Sequence, residues 1–197
     1  MKVAALLLAG GASSRMGARD KLLEQIDGVP LLRDRALMSL NSKAALVRVV
    51  LPPNRPNRED ALSELDVEVV FNGGSELGMS HSIQIGIEGM DADAVLIVLA
   101  DLPDLTTTDL NKLINAATAH PLANVLRGAN QAGKPGHPVL IRRALFGELS
   151  QLSGDTGAQP VLKRHLSDTV LVPVGAAALR DLDTPEEWDA WRAERTT

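Results

Sequence analysis

VAALLLAGGASSRMGARDK, residues 3–21, decides the fold. Residues 3–9 are apolar without a break, and Gly10 and Gly11 follow at once. A strand that meets water on one face alternates apolar and polar side chains. An unbroken apolar run is what a strand covered on both faces needs. AVLIVLA (94–100) repeats this signature, and ALVRVVL (45–51) and VEVVF (67–71), each broken by one charged residue, also read as strands. Helical patterns lie between and after these runs, at 30–40, 59–65, 78–89 and 107–119. The last has Thr106, Thr107 and Thr108 as cap candidates and Asp109 in its first turn. Strand followed by helix, repeated, calls for parallel strands joined by crossovers, with helices on both faces of the sheet.

The later chain is less regular. HPVLI (137–141) and TVLVPV (169–174) read as strands, and 143–152 and 158–166 as helices, with Pro160 suited to a first turn. TPEEWDAWRAE (184–194) has Thr184 as N-cap, Pro185 at the first position and Glu187 to complete a capping box. Trp188 and Trp191 share one face of that helix, which predicts docking onto the sheet. No repeat or long linker divides the chain. The expectation is a single α/β domain over 1–197, a three-layer sandwich with a mainly parallel sheet.

Composition narrows the function. The 197 residues are 45% apolar but only 2% aromatic, with no Tyr and a net charge of −5. A nucleic-acid reader needs a basic stripe and stacking platforms, so no nucleic-acid partner is expected. No Cys is present, which excludes disulfides, thiol chemistry and thiolate metal sites. That is compatible with a cytoplasmic protein. MKVAALLLAGGASS imitates a secretory signal, but a buried first strand explains the same letters, and Arg15, Arg19 and Lys21 follow directly. No apolar run approaches the roughly 20 residues of a membrane span, so no membrane partner is expected.

The residues after the first strand suit a polyphosphate. Ligands of open parallel sheets bind beyond the carboxyl ends of the strands. Gly10 and Gly11 there let the backbone approach closely and reach positive φ, and their N–H groups can face phosphate oxygens. Ser13 and Ser14 offer hydroxyls, Arg15 a planar fork and Lys21 a compact charge. A P-loop is excluded because Lys21 does not follow Gly17 directly, and the spacing is not G-x-G-x-x-G.

LAGGASSRMGARDK resembles the signature of the MobA-like nucleotidyltransferase family, L-A-[GA]-G-x-S-x-R-M-G followed by Lys. ADLPD (100–104) resembles the family's A-D-x-P segment, and RDLDTPEEW (180–188) its closing D-x-D-T-P-E-[ED] segment. GMSHSIQIGI (78–87), GKPGHPVLI (133–141) and LSGDTGAQPVL (152–162) resemble segments of the cytidylyltransferase-like branch. The resemblance implies the nucleotide-diphospho-sugar-transferase type of fold. It also implies a nucleotide site at Ala9, Gly10, Gly11, Ser13, Ser14, Arg15, Lys21, Asn72, Gly78, Met79 and Ser80. Arg15 would meet the β/γ-phosphates and Lys21 the α-phosphate. Asp101 would hold Mg²⁺ together with Asp183, with Asp181 the competitor for that second place. Arg15, Lys21 and Asp101 would carry the catalysis.

His137, Gly154 and Asp155 fall on the acceptor side, with a structural role for His137 equally open. His81 reads as a surface or supporting residue and Asp104 as a turn residue. The implied reaction transfers a nucleotide monophosphate from an NTP to a phosphorylated acceptor, with release of pyrophosphate. The family's best-known acceptor is the molybdenum cofactor pterin, with a molybdoenzyme or chaperone as possible partner. CTP is the expected donor, although LAGG at residues 8–11 is the spelling of the guanylyltransferase branch. The alternatives are GTP, a sugar phosphate acceptor, and a nucleotide-binding module without catalysis. A dinucleotide oxidoreductase is disfavoured by the missing fingerprint.

Overall fold

The computed structural model of the protein describes residues 1–195. Its elements are β1 (Val3–Leu8), β2 (Gln25–Ile26), β3 (Val29–Pro30), α1 (Leu31–Leu40), β4 (Leu46–Leu51), α2 (Pro56–Ala61), β5 (Glu68–Phe71), α3 (Met79–Ile87), β6 (Ala94–Leu99), α4 (Thr107–Ala119), β7 (Val125–Ala129), β8 (Pro135–Arg142), α5 (Phe146–Leu149), α6 (Gln159–Arg164), β9 (Thr169–Pro173) and α7 (Pro185–Arg195). The main sheet has seven strands in the order β5-β4-β1-β6-β8-β7-β9. β5, β4, β1 and β6 are parallel. β8 runs antiparallel to β6 and β7, and β9 returns parallel to β7. β2 and β3 form a separate hairpin.

Both faces of β1 are buried along its whole length. Val3, Ala5 and Leu7 face a core that includes α1, α4 and α7; Ala4, Leu6 and Leu8 face a second core closed by α3, α5 and α6. This is the three-layer α/β arrangement expected from the continuous apolar runs. Trp188 and Trp191 dock as expected. They are almost fully buried in the first core, edge to face with centroids 5.6 Å apart. Both helix starts behave as their sequences predict. The Thr106 hydroxyl accepts from the Asp109 N–H and the Asp109 carboxylate accepts from the Thr106 N–H. Thr184 and Glu187 make the same exchange.

Four expectations differ from the structure. β7 was not expected, because VLRGA interrupts its apolar residues with Arg127 and Gly128 and gives no clean period. The helix expected at 59–65 lies at Pro56–Ala61. Proline's fixed φ suits the first turn, and the chain leaves the helix before Glu64, whose φ is 64°. The helix expected at 143–152 is a 3-10 turn (Arg143–Leu145) leading into the four-residue α5. There Arg143 is tied to the carbonyls of Met90 and Ala92. The sequence also reads as a short strand ending at Asp183; the residues before it instead run as an irregular segment into α7.

Candidate active site

The parallel strands end on one edge of the sheet, and the functional candidates gather there. A cleft of about 690 Å³ opens at this edge, between the turn after β1, the start of α3 and the 154–155 turn. Gly10, Gly11, Gly78, Met79, Asp101, Gly154 and Asp155 line it, as do Glu76, Leu77 and Ser82, which the sequence did not single out. Gly78 is required sterically. Its φ is +88°, and a Cβ there would come within 2.7 Å of the Asp155 Cα.

The glycine turn departs from expectation in one respect. Neither Gly10 nor Gly11 has positive φ; the left-handed residues are Ser13, at 56°, and Gly17, at 64°. The loop is built as a 3-10 turn over Ser14–Met16, with Met16 buried in the core as its anchor. Arg58, from α2, holds it from below. Its side chain is fully buried and donates to the carbonyls of Ala9 (2.5 Å) and Gly11 (2.8 Å), to the Ser13 hydroxyl (3.2 Å) and to both oxygens of Asp20 (2.7 and 2.9 Å). Burial alone would raise the Asp20 pKa. The hydrogen bonds and charge of Arg58 outweigh it and hold the carboxyl below its usual 3.8. Nothing in the sequence marks out Arg58, because an Arg amid NRED reads as a solvated face.

Beyond the turn, four charges converge. Lys21 Nζ lies 2.6 Å from Asp101 Oδ2 and 2.6 Å from Asp183 Oδ1, and Arg15 Nη2 lies 2.5 Å from Asp183 Oδ2. Asp101 follows the end of β6, and its carbonyl accepts from the Leu182 N–H at 3.3 Å, which brings the segment before α7 against it. The Lys21 side chain is mostly buried. Burial pulls its pKa down, but the charges and hydrogen bonds of Asp101 and Asp183 win and raise it above 10.5. Asp181 stands beside the group. Partial burial raises its carboxyl pKa, and Asp183 and Asp101 raise it further.

Three expected nucleotide residues stand elsewhere. Asn72 is fully buried, and its amide serves Gly74 N–H, Ser82 Oγ and His81 Nδ1. Ser80 is fully buried too and ties α3 to the carbonyls of Ser153 and Gly157. The buried Ala9 presents its N–H to Val50 and its carbonyl to Arg58. All three shape the cleft wall; none lines it. A ligand that packs only against surface is met by exposed residues, and these positions satisfy the backbone of the wall instead. Ser13 likewise braces the loop, accepting from the Lys21 N–H, while Ser14 and Arg15 are exposed. Asp155 accepts from the Met79 N–H at 3.0 Å and so caps α3. Asp104 accepts from the Trp191 indole at 2.8 Å.

The sequence model of the MobA-like NTP transferase domain matches residues 5–170, which takes in the glycine turn, Lys21, Asp101 and β6. The chain belongs to this family. It is 33% identical over 123 residues to purine catabolism protein PucB of Bacillus subtilis, a match over 60% of this chain and 58% of that protein. The chain thus spans under two thirds of the first curated relative it matches. A probable molybdenum cofactor guanylyltransferase of Pyrococcus horikoshii is 30% identical over 75% of each chain. A nicotine blue oxidoreductase of Paenarthrobacter nicotinovorans is 28% identical over 82% of each. Among solved structures, the Mycobacterium sp. strain JC1 homologue of Rv0371c superposes with a TM-score of 0.83 at 23% identity, covering 98% of this chain and 96% of that one.

The carboxylate pair of this MobA-like chain fits a divalent cation. Asp101 Oδ1 is buried with no hydrogen-bond partner, which leaves an acceptor that a hard cation would satisfy. Lys21 Nζ, meanwhile, stands where a cation meets both carboxylates at once. Among the described residues no group of three or more His, Cys, Asp or Glu forms a metal cage. Two carboxylates, with water and phosphate oxygens completing the shell, is the donor set Mg²⁺ takes at phosphate sites.

Proposed function

We propose that the chain is a nucleotidyltransferase that moves a nucleotide monophosphate from an NTP to a phosphorylated acceptor. The convergence of Lys21, Arg15, Asp101 and Asp183 at the rim of the glycine-lined cleft supports this reading best. An acceptor phosphate oxygen forms a bond to the α-phosphorus. The bond from that phosphorus to the bridging oxygen of the β-phosphate breaks, and pyrophosphate leaves with the electron pair. A phosphate monoester already carries about −1.5 to −2 charge at neutral pH, so no general base is needed. The difficulty is electrostatic, because two anions must approach. Opposite unit charges 4 Å apart attract by about 1 kcal/mol in water and about 4 at an effective dielectric of 20, so the partly buried Lys21 is worth more than an exposed cation.

In this proposal Lys21 leaves the two carboxylates for the α-phosphate and Arg15 turns to the β/γ-phosphates. Asp101 and Asp183 would hold Mg²⁺, which when bound neutralises phosphate charge. The turn N–H groups of Gly10 and Gly11 orient the triphosphate. The acceptor proposed is the molybdenum cofactor pterin. CTP is the donor favoured by the GMSHSIQIGI segment and GTP the donor named for the Pyrococcus relative.

Incubation with each NTP, Mg²⁺ and the pterin acceptor should release pyrophosphate. Nucleotide binding without pyrophosphate, across pterin and sugar phosphate acceptors alike, overturns the catalytic reading and leaves a binding module. The nicotine blue oxidoreductase relative supports a second reading, an oxidoreductase. An NADH absorbance change on turnover, with no pyrophosphate, would favour it.

A further inference from the structure

Beside the main cleft lies a second cavity of about 180 Å³, between β6, β7, β8 and the segment leading into α6. It shares Met79 and Asp155 with the large cleft, so the two spaces adjoin. Arg127 and His137 both line it. Each carries a buried nitrogen that the protein around it leaves without a partner. Among the described residues Arg127 makes no ion pair, and its Nε is buried without a hydrogen-bond partner. His137 Nδ1 is buried and unpartnered in the same way. Asp155 also lines the cavity, but it stays beyond ion-pair distance of Arg127 and caps α3. The other polar groups lining it, Thr156 and Gln159, are neutral.

A half-buried guanidinium with no counter-charge carries a desolvation cost, which an arriving anion would offset. Burial indeed lowers the Arg127 pKa. Burial also lowers that of His137, with the Arg127 charge adding to it, while Asp101 and the Ile97 backbone act the other way. The cavity adjoins, through Met79 and Asp155, the cleft that Asp101 lines. The pairing of β7 with β8 sets Arg127 opposite Val139, two residues on from His137 on the same sheet face. Among the described residues lining this cavity, Arg127 is the one with a permanent positive charge.

We infer that Arg127, assisted by His137, is the subsite for the phosphate monoester of the acceptor. This rests on the nucleotidyl-transfer reading. The cavity is several times the ~30 Å³ of one liquid water, enough for a phosphoryl group and the first atoms attached to it, with the rest of the acceptor in the cleft. Arg127 would orient the attacking phosphate by its planar fork, and the His137 imidazole would take up a proton as the anion arrives and donate one further hydrogen bond from Nδ1.

The test is an NMR titration of the His137 ring signals in the full chain with glycerol phosphate, alone and after saturation with Mg²⁺ and a non-hydrolysable NTP analogue. The expected result is a saturable shift that persists with the analogue bound. Arg127→Gln should weaken it about tenfold or more, Arg127→Lys should weaken it less, and analogue binding should stay unchanged in both. No shift in the wild-type chain overturns the inference, as does a shift untouched by Arg127→Gln. Loss of the shift on adding the analogue also overturns it, because the pocket would then serve the donor's own phosphates. Should the wild-type chain bind no NTP at all, the transfer reading falls while the Arg127 shift still reports on the anion site itself.

Discussion

Two residues, Lys21 and Arg58, tie the segment after β1 to the rest of the fold. Lys21 reaches both carboxylates through one ammonium. If it stabilises charge that grows in the transition state, Lys21→Ala lowers kcat by about 10²–10³-fold and leaves the nucleotide-induced thermal shift nearly intact. Steady-state kinetics beside a thermal-shift titration check this, and undiminished turnover removes Lys21 from the mechanism. Asp101→Asn should blunt the dependence of turnover on Mg²⁺ concentration, and an unaltered metal response counts against the ligand role. Arg58 is a different case. Its removal leaves Asp20 with the more distant Arg55, at 3.8 Å, and strips donors from two backbone carbonyls. Arg58→Ala should cost about 3–5 kcal/mol in urea unfolding, and Arg58→Lys should recover only part of it because the fork is lost.

At the scale of elements, α7 links the core to the site. Trp188 and Trp191 fill the first core, the Trp191 indole is held by Asp104 three residues past Asp101, and the cap at Thr184 lies directly beside Asp183. Trp188→Ala should cost about 3–5 kcal/mol, measured by chemical denaturation, and should weaken the metal response along with stability because Asp183 loses its support. The capping boxes of α4 and α7 and the burial of β1 were legible in the sequence, because each depends on a few neighbouring letters. β7 was not. Its residues are chosen by partners on β8 and β9 and by the cavity beside them, so Arg127 and Gly128 hide the strand period. Asn72 and Ser80, expected at the nucleotide, are buried in the wall of the cleft, and the sequence could not show that for a related reason. A polar side chain at a strand end or a helix start looks the same in sequence whether it meets a ligand or satisfies the wall behind it.

The whole molecule has a pH dependence that follows from the site's supports. The native pKa of His137 is about 4 against the ordinary 6.5, so on acidification the unfolded chain takes a proton that the native chain refuses. Stability should therefore fall as pH drops from 6.5 toward about 4, and His137→Asn should flatten that part of the profile. Asp20 adds to the loss below pH 3.8, since its native carboxyl is held ionised and its contribution vanishes as it protonates. Urea midpoints across this range separate the two. The preferred NTP with Mg²⁺, at about 100-fold over its Kd, should raise Tm by about 5–10 °C, and comparing the four NTPs identifies the base.

The amino-acid sequence alone determined the layered α/β architecture, the buried first strand, the glycine turn and the charged residues that follow it, because periodicity, caps and turn chemistry act between near neighbours. The tertiary structure alone decided that Lys21 meets Asp101 and Asp183, that Arg58 clamps the turn and that Arg127 makes no ion pair among the described residues. Those encounters join residues 80 and 162 positions apart, and only the order of strands in the folded sheet brings such distant charges to one edge.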